Sequence, residues 1–215
     1  MRANAPDDLV LGYTRTMMGF LAFNRQPKHL GIIGLGGGSI AKFCYRNLPH
    51  TAISVAEISP EVIALRDRFR IPKDDRRLEV FCMDGREFVE RRRGLFDALL
   101  VDGFDGDGQP PELCSQAFYG ACYSALTERG VLVVNACEGS LSRLVNRISS
   151  SFRNRIIVAG SDDSFNQILF AGKGRVFRSV TDALQRIEDL ATSLRPREHS
   201  TPGLGGHVKC PGGAY

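Results

Sequence analysis

Short runs of β-branched and aliphatic residues recur along the chain, at 30–33, 52–55, 78–81, 98–101, 131–134, 156–159 and 168–171. Helical stretches separate them. Seven such strands alternating with helices predict an α/β fold, a seven-stranded, mostly parallel, doubly wound sheet of the Rossmann-like kind with both faces covered. Helix starts are marked by polar residues. Ser39 follows a glycine run, Ser59-Pro60-Glu61 supplies a cap, a first-turn proline and an acid, and Ser179-Val180-Thr181-Asp182 has capping-box spacing. The last helix, over about 179–194, carries Leu184, Ile187, Ala191 and Leu194 on one stripe that should cover the sheet. The apolar stretch 9–23 is expected to be an amphipathic helix packed on the domain.

The pattern divides the chain into an N-terminal helical segment (1–29), one α/β domain (30–195) and a glycine- and proline-rich tail (196–215) expected to be mobile. At 215 residues, 43% hydrophobic and 24% charged, the chain suits one well-buried core. The net charge of +4 is mild, and the basic residues are scattered apart from Arg91-Arg92-Arg93, which should end a helix, so no nucleic-acid partner is expected. The six cysteines form no CxxC pair and mostly sit in apolar runs, the pattern of reduced thiols in the cytoplasm. Arg15 interrupts the stretch 9–23, which also lacks a cleavage pattern, so neither a signal peptide nor a membrane span is expected. His207 and Cys210, with only His199 nearby, make a poor ligand set, and no metal is expected.

Chemistry concentrates at the ends of the first four strands. Gly34-Leu35-Gly36-Gly37-Gly38-Ser39 links the first strand to its helix, and a glycine loop there lets backbone N–H groups approach a ligand closely. Glu57 ends the second strand, where an acid can accept both hydroxyls of a ribose. Asp84, followed by Gly85, ends the third, where a carboxylate can receive the amine of adenine. Each acid also reads as a plain helix cap, but three consecutive strand ends are harder to explain so. The glycine spacing departs from the dinucleotide pattern G-x-G-x-x-G and no P-loop lysine follows, which favours an adenosyl sulfonium ligand.

Ile33 to Ser39, Val55-Ala56-Glu57-Ile58, Met83-Asp84-Gly85, Val101-Asp102-Gly103-Phe104-Asp105 with Gly108-Gln109-Pro110, and Ser115-Gln116-Ala117-Phe118-Tyr119 together resemble successive motifs of the spermidine synthase (polyamine aminopropyltransferase) family. The similarity covers roughly 13–172, and 102–119 is its most specific part. It implies the class I methyltransferase-like sheet with its last strand antiparallel, and decarboxylated S-adenosylmethionine as donor. It implies that Gly34, Gly36, Gly37, Gly38, Glu57, Asp84 and Gly85 bind the donor. Asp102 would take a proton from the attacking amine, and Asp105, together with Asp107, would hold the polyamine cation. Tyr119 and Asn135 are candidates to line the pocket, although packing explains both equally well, and Tyr13 reads better as core.

Two departures qualify the resemblance. Gly37 stands where the family carries an Asp that holds the ammonium end of the decarboxylated donor, so intact S-adenosylmethionine would be tolerated. Only about thirty residues precede the first strand, too few for the family's small N-terminal β domain. Three readings follow: aminopropyl transfer to a small-molecule amine, methyl transfer on the same scaffold, or a non-catalytic protein that binds an adenosyl nucleoside or a partner. Family members commonly associate, which leaves a homodimer open.

Overall fold

The structure, a computed structural model, describes residues 5–104, 108–136, 141–161, 164–177 and 179–196. The apolar runs become strands β1 His29–Ile33, β2 Ala52–Glu57, β3 Leu78–Cys82, β4 Phe96–Val101, β5 Leu126–Ala136, β6 Ile156–Ser161 and β7 Ser164–Gly172. They form one seven-stranded sheet in the order β3-β2-β1-β4-β5-β7-β6. Pairings from β3 across to β5 are parallel, and β7 runs antiparallel to both β5 and β6. The doubly wound sheet with an antiparallel last strand is therefore present.

Seven helices flank it among the described residues: α1 Gly12–Met17, α2 Ser39–Asn47, α3 Pro60–Ala64, α4 Gly85–Glu90, α5 Gln116–Ala125, α6 Leu141–Phe152 and α7 Val180–Ser193. Strand side chains alternate between the two faces, which splits the core into two layers. Leu30, Ile32, Leu100, Val133 and Phe170 pack with Met17, Met18, Ile40 and Ile187 from the α1, α2 and α7 side. Ile33, Leu99, Val101, Val134 and Leu169 pack with Phe88, Phe118 and Ile148 from the α4, α5 and α6 side.

Local signals at the helix ends act much as their chemistry suggests. Ser59 caps α3 by accepting from Val62 N–H at 3.1 Å, and Ser179 caps α7 by accepting from Asp182 N–H at 3.4 Å. Arg91, the C-cap of α4, pairs with Glu87, and Arg92 donates to the Phe88 carbonyl at 2.9 Å. Ser39 begins α2, but the cap is Gly38 in a left-handed conformation, with no side-chain bond. The stretch 9–23 yields a shorter helix than its pattern predicts. The six residues of α1 give way to a 3-10 turn over Met18–Ala22, in which Gly19 lies so close to the sheet and α7 that a Cβ there would stand 2.8 Å from Phe170 Cζ and 2.9 Å from Ile187 Cγ2. No described helix is long and apolar enough to cross a membrane.

Leu100, fully buried in the central strand between these layers, is a direct measure of core packing. Leu100→Ala should cost about 3 kcal/mol through lost burial and an unfilled cavity, read as a lower denaturant midpoint at unchanged slope.

Candidate active site

In an open parallel sheet the ligand crevice forms beyond the carboxyl ends of the strands, at the point where strand order reverses. Here that point lies between β1 and β4. Gly34 continues β1 by donating its N–H to Ala56 O at 2.8 Å, while Asp102 continues β4 by donating its N–H to Ile33 O at 2.8 Å. Gly34 has φ +95°, and a Cβ on it would collide with the carbonyl oxygen of Asp102. Only glycine lets the chain leave β1 so tightly against the Asp102 backbone.

The loop that follows is held by Glu57. Its Oε2 accepts from Leu35 N–H at 2.8 Å and its Oε1 from Ser59 N–H at 3.0 Å, so one carboxylate joins the glycine loop to the turn that starts α3. Each oxygen retains acceptor capacity. Asp84 caps α4 through Oδ1, which accepts from Arg86 N–H at 2.9 Å and Glu87 N–H at 3.1 Å; Oδ2 is free of those bonds. The cap reading of Asp84 is thus correct and leaves an oxygen for a ligand.

Asp102 sits differently. Burial pushes its carboxyl up to about 6, partly offset by hydrogen bonds from Asn135 and Tyr13. Asn135 Nδ2 donates to Oδ1 at 2.8 Å, and Tyr13 Oη donates to Oδ2 at 3.4 Å. Tyr13 is itself held well above the usual phenol range, by burial first and then by the Asp102 charge.

These groups share one cavity of about 730 Å³, whose wall includes Tyr13, Gly34, Gly36, Gly37, Gly38, Glu57, Ile58, Asp84, Gly85 and Asp102. The volume falls within the range of small-ligand pockets. Gly37 lines the cavity beside Phe69, whose ring carbons would meet a Cβ built on it at 3.7 and 3.8 Å, an ordinary van der Waals contact. Tyr119 is not on the wall. It is fully buried on α5, packed in the layer with Phe88 and Phe118. Asp105 and Asp107 lie outside the described residues, as do His199, His207, Cys210 and the rest of 197–215. Among the described residues no group of His, Cys, Asp and Glu is arranged to hold a metal.

Two residues of the wall, Tyr13 and Ile58, take parts that their motifs do not assign, and Asn135, a candidate to line the pocket, lies off the wall and reaches the site through Asp102. Tyr13, which reads as core in the sequence, reaches the cavity from α1 and bonds Asp102. Ile58 presents an apolar side chain, 68% exposed, next to Glu57. Asn135 reaches Asp102 because register places residue 135 beside residue 102: β4 and β5 pair Val101 with Val134. Only Ile58 carries a local signal, since an apolar residue directly after a strand-ending acid is conspicuous.

A family model described as spermine/spermidine synthase domain matches residues 10–152. A polyamine aminopropyltransferase of Chromobacterium violaceum is 41% identical over 160 residues, which span 73% of this chain and 61% of that protein. Among solved structures, a spermidine synthase in complex with the transition-state analogue AdoDATO superposes with a TM-score of 0.68 at 24% identity, covering 80% of this chain and 63% of that one. Human methyltransferase-like protein 13 in complex with SAH superposes with a TM-score of 0.72 at 20% identity, covering 89% of this chain and 97% of that one. The two structures share the fold of this sheet.

The buried Asp102 has a consequence for stability. Between pH about 4 and about 6 the native carboxyl holds a proton that the unfolded chain has released, so stability falls as pH rises through that window and stays lower above it. Asp102→Asn removes the charge and keeps the shape. It should be the more stable protein at pH 8, on the order of 2–3 kcal/mol, with the difference closing as pH falls from 6 to 4. Denaturant unfolding across that range reads the effect, and parallel curves for the two proteins would contradict the burial argument.

Proposed function

Because the chain belongs to the spermine/spermidine synthase family, we propose that it transfers an aminopropyl group from decarboxylated S-adenosylmethionine to an amine of a polyamine acceptor. The observation that carries this reading is the convergence of Glu57, Asp84 and a buried Asp102 on one cavity beside the Gly34 turn. Glu57 takes the ribose hydroxyls with its remaining lone pairs, Asp84 Oδ2 takes the adenine amine, and Ile58 covers a face of the base. Gly34, Gly36, Gly37, Gly38 and Gly85 leave room for the donor, and the free thiols of Cys44, Cys82, Cys114 and Cys122 suit a cytoplasmic enzyme.

The obstacle to the reaction is that an alkylamine with a pKa of about 10 arrives protonated and cannot attack. A carboxylate at its ordinary value lies more than six units below that; one raised to about 6 lies roughly four below, which removes on the order of 3 kcal/mol from the proton transfer. Asp102 Oδ2 takes the proton. The amine nitrogen then bonds to the propyl carbon next to the sulfonium as the C–S bond breaks, and the bonding pair returns to sulfur to leave methylthioadenosine. Alignment of the attacking nitrogen behind the C–S bond supplies most of the remaining acceleration. Asp105 and Asp107 are assigned the far ammonium of the acceptor on the resemblance alone.

The lack of a side chain at Gly37 on the cavity wall favours a second reading, methyl transfer from the intact donor, because residue 37 carries no carboxylate to repel that donor's α-carboxylate. Calorimetry with decarboxylated S-adenosylmethionine, S-adenosylmethionine and methylthioadenosine separates the two. Tighter binding of the decarboxylated donor, with methylthioadenosine formed when a polyamine is added, supports aminopropyl transfer; preference for the carboxylated donor moves the assignment to methyl transfer. Asp102→Asn should lower turnover by about 10²–10⁴-fold with nucleoside affinity nearly intact. Glu57→Gln should act the other way round, weakening methylthioadenosine binding by about 10–100-fold. Loss of affinity in the first variant without loss of turnover would remove Asp102 from its assigned role.

A further inference from the structure

The register that sets Asn135 beside Asp102 reaches one strand further. Asn135 of β5 pairs with Ile168 of β7, so both side chains leave the sheet on one face, and Asn166, two residues before Ile168, leaves on the same face. Asn166 is the diagonal neighbour of Asn135, within side-chain reach. Its Nδ2 donates to Asn135 Oδ1 at 2.8 Å, and Asn135 Nδ2 donates to Asp102 Oδ1 at 2.8 Å. Asparagine is disfavoured in strands, and this one stands just ahead of the apolar run Ile168-Leu169-Phe170-Ala171.

An amide has two ends of nearly equal size, one donating and one accepting. If Asn135 turned over, its oxygen would face the Asp102 carboxylate and its NH₂ would face the NH₂ of Asn166, so both contacts would become repulsive. We propose that Asn166 is a positioning residue of the Asp102 site: it locks Asn135 in the orientation that donates to Oδ1 and thereby leaves Oδ2, on the Tyr13 side, to take the proton from the attacking amine. The amine in that statement rests on the aminopropyl-transfer reading; the lock does not. The two amides point the same way along the chain of bonds, so each strengthens the next. Tyr13, from α1, is the titratable side chain that bonds Asp102 among the described residues, and both asparagines are neutral.

The test titrates Asp102 itself, by carboxyl-carbon NMR on the full chain with no substrate bound, the resonance being assigned by its loss in Asp102→Asn. The wild-type midpoint is expected near 6. Asn166→Leu, similar in volume but without a donor, should raise the midpoint by about half a unit or more, and the acid limb of turnover should move up by the same amount. Asn166→Gln, which keeps a donor, should stay nearer the wild type. In an Asn135→Leu background the Asn166→Leu change should add nothing, because the lock acts only through Asn135. An unchanged midpoint in Asn166→Leu, or an equal shift in both backgrounds, overturns the proposal. Asn166→Ala, smaller than the native residue and without a donor, carries the same expected and overturning results if the leucine variant does not fold. Absence of aminopropyl transfer would overturn the proposed function and leave this titration to decide the lock; an unchanged midpoint in an active enzyme would overturn the lock alone.

Discussion

The site depends on the close passage of two strand ends. Asp102 N–H binds Ile33 O, Gly34 N–H binds Ala56 O, and Gly34 has no side chain to hold the Asp102 carbonyl away. This knot joins the ends of β1, β2 and β4 through backbone alone. It brings the residue after β4 next to the glycine loop, so a carboxylate placed there faces whatever the loop receives. Glu57 extends the knot by bonding both Leu35 and Ser59 N–H groups. The geometry of the cavity is thus set mainly by main-chain bonds, which resist displacement better than side-chain contacts do.

Around that frame the acids meet two environments. Glu57 and Asp84 accept from backbone N–H groups at loop and helix starts. Asp102 meets two neutral side chains, and burial holds its carboxyl near 6. In the proposed chemistry the first kind suits binding and the second suits accepting a proton, since a base must lie close enough to its partner in pKa to share the proton in the transition state. The raised value destabilises the resting fold, and the surrounding sheet supports it: Leu100, Val101, Val133 and Val134, the residues just before Asp102 and Asn135, are fully buried.

Much of this was legible in the chain. Apolar runs such as Ala98-Leu99-Leu100-Val101 are strands because two covered faces need no polar alternation, and Ser59 and Ser179 cap helices because their hydroxyls answer local N–H groups. The glycine loop and the acids after β2, β3 and β4 announced themselves because a parallel sheet collects its carboxyl ends at one edge. Those are properties of short segments, and short segments of sequence determine them. The fate of Tyr13, Tyr119, Asn135 and Asn166 was decided elsewhere. Strand register put Asn135 beside Asp102 and Asn166 beside Asn135, the docking of α1 brought Tyr13 to the cavity, and the facing of α5 turned Tyr119 into the core. Pairing register and the docking of α1 join these residues across 31 to 89 positions of chain, and no local pattern records which distant partner a side chain will meet.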